Sequence, residues 1–360
     1  MHNLRLQQFV VNYVGYVDMI DFIELNNDQR REKVNSDQRY EAFQQASATV
    51  KSFRGSLVWH TVGGTEHLMR SYYNSAGVRR QKVEGRRSPE TEAIKVKWDA
   101  ARQAAQEVLS ARKSQMERQT AVNRALRLGR VPHLTARIIR AVDNAGLLGA
   151  GIRIVGTNAI FAYEAIAGVF VDPGITATED IDLLMDARRS LKMVVDDDIK
   201  NNSLLGLLKK VDKSFERTRS SYRAANREGY LVDLIKPPAK PIWRENRESI
   251  GNGEDELVAA AIEGLDWLEN SPPFEAIAID EKGEPLRIVA PDPRIFAAHK
   301  FWISQRGDRE PVKRQRDRAQ AETVAQLTTT YFKHLPYEAS ELRALPRTVF
   351  ENAASLFIDT

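Results

Sequence analysis

The chain has 360 residues, 42% of them hydrophobic and 28% charged, which is typical of a soluble globular protein with about two to three domains. No apolar run approaches the ~18 residues of a membrane span, and the lack of cysteine excludes disulfides and thiolate metal sites. The formal net charge is only +4. Residues 1–24 lack the charged, apolar and small-residue order of a signal peptide, so we expect a cytoplasmic protein with no membrane contact.

Basic and aromatic side chains are concentrated in residues 51–87. Two turn signals divide this segment into short runs, which predicts a β-hairpin or a three-stranded meander. Such a surface can follow a phosphate backbone and stack bases. In the alternative interpretation, the aromatic rings pack on a neighbouring helix and the cations are solvated. The residues concerned are Arg70, Arg79, Arg80, Lys82, Arg86 and Arg87, with Trp59, His60, Tyr72 and Tyr73.

A long helix is predicted next. Ser88 is a suitable N-cap, Pro89 suits the first helical position, and neither proline nor glycine interrupts residues 90–128. Large apolar residues are sparse in it, so we expect an exposed spacer between the N-terminal module and the rest of the chain. A second helix is predicted over residues 133–148.

A glycine–threonine pair follows a short predicted strand, residues 153–155, and opens a helix that should end at Gly168. Glycine allows a ligand to approach the backbone closely, and free N–H groups at a helix N-terminus attract phosphate. We therefore predict a phosphate cradle at Gly156, Thr157 and Asn158. Residues 172–178 are predicted to form a loop.

Two aspartates then alternate with apolar residues in the run DIDLLMD. Because strand side chains alternate between faces, Asp180 and Asp182 point the same way while Ile181 and Leu183 enter the core. Neighbouring carboxylates repel each other, and a divalent cation such as the magnesium carried by a nucleotide removes that penalty. The alternative is a pair of sheet-edge acids held by caps or salt bridges.

A third acid, Asp233, lies in an apolar strand after the turn signal NREG and shares a face with Leu231 and Ile235. With Asp180 and Asp182 it completes the trio that two-metal phosphoryl transfer requires. One cation lowers the pKa of the attacking hydroxyl, and the other holds the triphosphate and the leaving pyrophosphate.

The C-terminal third contains a predicted hairpin with its turn at residues 281–284, followed by a helix capped by Asp292. That helix carries His299, interpreted as a buried and satisfied histidine, and Lys300. A further helix follows a loop. Four of its polar residues are three or four positions apart and therefore lie on one face, which is either a phosphate-binding surface or merely a solvated one. These residues are Lys313, Arg316, Asp317 and Gln320. The last residues, 334–360, predict one or two helices that pack back on the core.

The order of Gly156–Thr157, a helix, Asp180 and Asp182, and a later strand with Asp233 resembles the polymerase-β-like nucleotidyltransferase superfamily. The resemblance implies transfer of a nucleoside monophosphate from an NTP, with Mg²⁺ or Mn²⁺ as cofactor. It also implies that the glycine–threonine pair holds the triphosphate and that the first two aspartates bind both metals. Asp233 would bind the metal that activates the acceptor.

The resemblance covers roughly residues 153–326 and is nearest to the bacterial branch found in toxin–antitoxin and defence contexts. In that branch a similar pair of helices closes over the nucleotide, which would bring Lys300 and Lys313 to its phosphates. Two departures concern the substrate side: Thr157 stands where serine is commoner, and the helix and loop before Asp180 are longer than in the minimal members.

These observations predict an α+β fold with a small mixed β-sheet nucleotidyltransferase core flanked by helices. We expect an N-terminal module with the basic hairpin and the long helix over residues 1–130. The catalytic core should occupy residues 131–250. A C-terminal β-hairpin and helical region that closes over the nucleotide should occupy residues 251–360.

The sequence indicates the acceptor hydroxyl less clearly than it indicates the nucleotide substrate. The basic hairpin and the isoelectric point near 9.1 favour an RNA end, transfer RNA included, with Arg79, Arg80 and Lys82 as contacts. The same chemistry would modify a tyrosine or serine hydroxyl of a cognate protein partner. A third possibility is a non-catalytic member that only binds nucleic acid or a partner, but the intact acidic trio argues against it.

Overall fold

A computed structural model of the chain describes residues 22–73, 78–188, 203–239, 248–251 and 254–358. The prediction that no signal peptide is present falls almost wholly on residues 1–21, which lie outside the described residues. Among the residues described, no helix combines the length and the apolar character needed to cross a bilayer.

The N-terminal part is an antiparallel pair of long helices with a small sheet at its far end. Both helices begin with a capping box, formed by Asn26 with Gln29 and by Ser88 with Thr91, and the predicted long helix is confirmed. Asn123 Nδ2 donates to Ser36 Oγ (3.0 Å) between the helices. The elements are β1 (Ile23–Glu24), α1 (Asn27–Ser52), β2 (Ser56–Val62), β3 (Thr65–Tyr73), β4 (Arg79–Arg86) and α2 (Pro89–Ala125). We call α1 and α2 the stalk and β2–β4 the tip sheet.

The tip sheet is a three-stranded antiparallel meander in the order β2-β3-β4, as predicted. Leu57 and Leu68 on one face are buried. Phe53, just before the sheet, meets Trp98 of α2 edge to face at 6.0 Å, and a Cβ on Gly85 would lie 3.0 Å from Thr91 Cγ2. The sheet is therefore held against the first turns of α2.

The core contains a mixed sheet in the order β5-β7-β10-β9-β8, with β11 beside β10. Strand β10 is parallel to β7 and β11, and the other neighbours in the sheet are antiparallel. The elements are α3 (His133–Asn144), β5 (Ile152–Val155), α4 (Ile160–Ala167), β6 (Val169–Phe170), α5 (Pro173–Thr176), β7 (Asp180–Met185), α6 (Leu204–Val211), β8 (Glu216–Arg217), β9 (Arg223–Ala225), β10 (Leu231–Lys236) and β11 (Ala260–Ala261).

Residues 172–178 are not purely a loop, because α5 forms a single helical turn within them. Asp172 caps this turn by accepting from Gly174 N (2.7 Å), and Pro173 suits the first helical position. The sequence prediction overlooked this aspartate–proline start signal.

The C-terminal part supplies a hairpin and the helices that cover the sheet, as predicted. Asp292 caps α8 through Arg294 N (2.8 Å). The elements are α7 (Leu265–Asn270), β12 (Pro273–Ile279), β13 (Pro285–Pro291), α8 (Pro293–Ser304), α9 (Pro311–Tyr331) and α10 (Arg347–Ala353). The fold is α+β, in agreement with the sequence prediction.

The two faces of the mixed sheet have different partners. Ile181 and Leu183 belong to a hydrophobic core shared with α3, α4, α6 and the β12–β13 hairpin. Leu184 and Ile235 belong to a second core shared with α7, α8 and α10. Because side chains alternate along a strand, Asp180, Asp182 and Asp233 lie on the second face. We call it the carboxylate face.

The stalk is anchored to elements that pack on the opposite face. Asn123 Nδ2 donates to the carbonyl of Gly283 in the β12–β13 turn (2.9 Å), and Arg287 N of β13 donates to Tyr40 Oη (3.3 Å). Leu25 N donates to the carbonyl of Gly168, at the end of α4 (3.0 Å). The basic tip sheet therefore does not lie beside the carboxylates.

Candidate active site

Strand register brings the three aspartates side by side. Asp182 on β7 is the Cα partner of Asp233 on the parallel strand β10, and Asp180 lies two residues before Asp182. On the other side of β7, Val155 at the end of β5 is the partner of Asp182. The carboxylates thus share one face at the point where β5 ends and the glycine–threonine turn begins.

This arrangement raises the pKa of Asp182 to about 7 from its ordinary value of 3.8. Burial is the largest cause, followed by the charges of Asp180 and Asp233, while Lys300 and Arg309 act in the opposite direction. Without a cation, Asp182 is therefore partly protonated near neutral pH. A divalent cation would relieve the repulsion, and the carboxylate oxygens of Asp180 and Asp182 are ligands that suit Mg²⁺ or Mn²⁺.

Asp233 differs from the other two acids because it already has a cationic partner. The side chain is buried, and Arg223 on β9 donates from Nε to Oδ1 (2.7 Å) and from Nη2 to Oδ2 (2.6 Å). The Thr178 hydroxyl donates to Oδ1 of Asp180. In the described part of the chain, no three His, Asp or Glu side chains are arranged as a metal site, so the trio is adjacent but not assembled into a cage.

The predicted phosphate cradle lies directly beside these acids. Gly156 has a φ of +64°, and a Cβ built on it would lie 2.1 Å from Asp182 Oδ2. Only glycine can pass this close to the carboxylate in this conformation. Asn158 Nδ2 donates to the main-chain carbonyl of Asp180 (2.7 Å), which ties the turn to β7.

Helix α9 contacts the same turn through two of its side chains. Thr157 Oγ1 accepts from Arg316 Nη2 (2.9 Å) and from Gln320 Nε2 (3.0 Å). Arg316 also donates to the carbonyl of Ala177 (2.6 Å) and Gln320 to that of Ile175 (2.9 Å). These bonds fix the cradle, α5 and α9 relative to one another.

The two lysines predicted to bind the nucleotide, Lys300 and Lys313, differ in position. Lys300 is buried and donates to Asp317 Oδ1 (2.8 Å), while Arg309 donates to Asp317 Oδ2 (2.9 Å), and both cations act on Asp182. Lys313 is 57% exposed and pairs with Glu310 (2.7 Å). On α9, therefore, the structure brings Arg316 to the cradle rather than Lys313.

His299 is buried as predicted, but it is not satisfied. Its Nε2 atom has no hydrogen-bond partner among the described residues. Burial lowers the pKa of His299 to about 3, so the ring is neutral, and it packs against Trp267 and Trp302 at 5.8 and 6.0 Å. The contacts are those of a core residue.

Arg223 and Arg309 were not predicted as site residues from the sequence. Arg223 could have been found from the NREG turn, because a hairpin that pairs Leu231 with Ala225 must also pair Asp233 with Arg223. No local signal marks Arg309, whose contact with Asp317 depends on how α9 begins after its loop.

Taken together, the site presents clustered carboxylates on the sheet and cations on α8, α9 and the loop between them, with the glycine turn beside both groups. Clustered carboxylates have the chemistry of divalent-cation ligands, and a glycine turn beside cationic side chains has that of a phosphate-binding site. A nucleotidyltransferase family model matches residues 133–346, which is more than half of the chain and includes every residue of this site. The chain belongs to this nucleotidyltransferase family. No curated protein and no solved structure matched the chain.

Proposed function

We propose that the chain is a polymerase-β-like enzyme that transfers a nucleoside monophosphate from an NTP to an acceptor hydroxyl and requires Mg²⁺ or Mn²⁺. The observation that carries this proposal is the register of Asp182 opposite Asp233, next to Gly156. A purely structural role would not require three carboxylates on one face of the sheet, because they repel each other there.

The residues have distinct roles in this proposal. Asp180 and Asp182 would hold the divalent cations, which supply positive charge to the triphosphate and to the leaving pyrophosphate. Gly156 admits the phosphates close to the backbone. Lys300 and Arg316 carry positive charge to the other side of the same space, where they would bind and orient the polyphosphate.

The direct test is incubation of the protein with each labelled NTP and Mg²⁺, with total RNA in one arm and lysate protein in the other. Pyrophosphate release together with label in RNA or in protein is expected, and the arm that takes the label identifies the acceptor. The Asp182→Asn variant is the control. Failure of all four nucleotides to yield pyrophosphate in either arm would refute the proposal.

Charge favours RNA as the acceptor. Residues 54–87 contain seven arginines and lysines against two glutamates, a net charge of +5, whereas the whole chain carries +4. The remainder of the chain is thus slightly acidic, and the positive field is concentrated on and around the tip sheet. The outer strand β4 carries Arg79, Arg80 and Lys82, all exposed.

The stalk sets the size of such an acceptor. Trp98 contacts Phe53 beside the tip sheet, and Asn123, 25 residues later on α2, contacts the core. At 1.5 Å per residue this separation is about 35–40 Å. An RNA that touches both the tip sheet and the carboxylate face must span several tens of ångströms, which favours a folded RNA over a short oligonucleotide.

Replacing Arg79, Arg80 and Lys82 together with alanine should weaken RNA binding and reduce its salt dependence. Each lost phosphate contact lowers the slope of log K against log salt by about 0.7–0.9, so a change of about two to three is expected. The control is Lys97→Ala, Lys113→Ala and Arg118→Ala, which removes three exposed cations from the stalk. RNA binding with the wild-type slope in the β4 variant would contradict this role.

Modification of a protein partner is the second candidate, and one observation favours it. The tip-sheet face with Val58 and Val83, both cross-strand partners of Met69, is exposed, with the two valines 48% and 53% accessible. An apolar row on an open sheet face is typical of a protein-docking surface. A cognate partner of the toxin–antitoxin type would then present a tyrosine or serine hydroxyl.

A further inference from the structure

We propose that Arg223 acts as a positioning residue that occupies the third carboxylate of the site and delays binding of a second divalent cation until the nucleotide is present. This inference rests on the proposed function, because it presupposes that cations bind at these aspartates. It concerns the order in which the site is filled.

The contact between Arg223 and Asp233 has the geometry of a specific pair. The two residues are Cα partners on the antiparallel strands β9 and β10, and the guanidinium makes one hydrogen bond to each carboxylate oxygen, at 2.7 and 2.6 Å. Asp233 is only 7% exposed. Both of its oxygens are thus engaged, so a cation must either displace Arg223 or use the remaining lone pairs against the repulsion of the guanidinium charge.

Arg223 also has somewhere to move. Its side chain is 33% exposed, in contrast to the 10% of the Asp233 side chain, and its guanidinium carbon lies 5.4 Å from the centre of the Tyr222 ring. The hydrogen bonds to Asp233 raise the pKa of Arg223, so it remains charged. The guanidinium can therefore turn toward solvent or toward an incoming phosphate without disrupting the core.

The two expected cation positions therefore differ in how easily a cation can bind there. Among the described residues, no arginine donates a hydrogen bond to Asp180 or Asp182, so a cation between them displaces no such pair. A cation that also needs Asp233 competes with a charge-assisted, bidentate pair and is repelled by its guanidinium, which opposes cation binding about tenfold or more. A bound triphosphate changes this balance, because its negative charge attracts both the second cation and the released guanidinium. The fully loaded metal centre thus forms only with substrate.

The test is titration of the full-length, EDTA-stripped protein with Mn²⁺ without nucleotide, in which free Mn²⁺ is followed by electron paramagnetic resonance. Wild type should bind one Mn²⁺ tightly, and Arg223→Gln should bind a second at least about tenfold more tightly than wild type does. The double variant Arg223→Gln, Asp233→Asn should lose this gain. The matched control is Arg217→Gln on neighbouring β8, where the arginine donates to the carbonyl of Glu256.

With a non-hydrolysable NTP analogue present, wild type and Arg223→Gln should bind two Mn²⁺ with similar affinity. Equal second-site affinity without nucleotide, or the same gain in Arg217→Gln, would overturn the role of Arg223. If Arg223→Gln does not fold by circular dichroism, Arg223→Lys keeps the charge without the fork and should show a smaller gain in the same direction. Wild-type Mn²⁺ binding by Asp182→Asn would instead refute the metal site itself, so the two failures are distinguishable.

Discussion

Replacing Asp182 with asparagine should abolish nucleotidyl transfer and stabilise the metal-free protein above neutral pH. In the proposed mechanism transfer is lost because the amide could not supply the charge that would hold the cations. Stability increases because the Asp182 carboxylate lies next to Asp180 and Asp233 in a site that disfavours its charged form. A residue needed only for folding would show the opposite combination.

The pH dependence follows from the direction of the shift. The pKa of Asp182 in the folded chain is about 7, above the ordinary value of 3.8, so the protonated carboxyl favours folding. This contribution is complete below pH ~4 and is lost as the pH rises through about 7. It is at most about 4 kcal/mol, and partial solvent contact reduces it.

Denaturant unfolding in EDTA at pH 5 and pH 8 checks this expectation. The wild-type free energy of unfolding should fall more over this interval than that of Asp182→Asn, and Mg²⁺ at pH 8 should restore stability to wild type alone. Asp99→Asn, which removes an exposed acid on α2, should behave as wild type. Residual transfer near the wild-type rate, or parallel pH profiles, would disprove the assignment of Asp182.

Local sequence patterns predicted the strands and helices of the site better than they predicted which distant residues contact them. Alternation in DIDLLMD placed Asp180 and Asp182 on one face, and capping signals predicted α2 and α8, because both depend on residues a few positions apart. At the cradle, Arg316 lies where Lys313 was expected. Which of the two side chains reaches Thr157 depends on how α9 is rotated about its axis, and Arg316 and Thr157 are 159 positions apart in the sequence. No short-range pattern contains that information.

The attachment of the stalk illustrates the same limit at a larger scale. Composition correctly indicated an exposed helical spacer, but the side of the sheet that it joins is set by contacts such as that of Asn123 with Gly283, 160 residues apart. The basic segment was expected to be joined to the core by the long helix, and it lies at the far end of the stalk. Its proposed role accordingly depends on the reach of the acceptor.

Gly156 and Gly168 provide a matched pair that isolates one contact in the site. Both lie in the left-handed region, with φ of +64° and +68°. A Cβ on Gly168 would meet nothing within 4 Å, whereas a Cβ on Gly156 would lie 2.1 Å from Oδ2 of Asp182 and 3.1 Å from its Cγ. Alanine at either position therefore introduces the same backbone strain, but only Gly156→Ala displaces the carboxylate.

We expect Gly168→Ala to lower the free energy of unfolding by about 1–2 kcal/mol, the usual cost of this conformation for a side-chain residue, and to leave transfer unchanged. Gly156→Ala should have at least the same cost and should also reduce transfer by about 100-fold or more, because ångström-scale misplacement of a catalytic group has effects of that size. Pyrophosphate release and Mn²⁺ affinity, measured on both variants, separate the two effects. Equal activity in both variants would show that Gly156 serves only the turn, since the strain is shared and the contact with Asp182 is the difference between them.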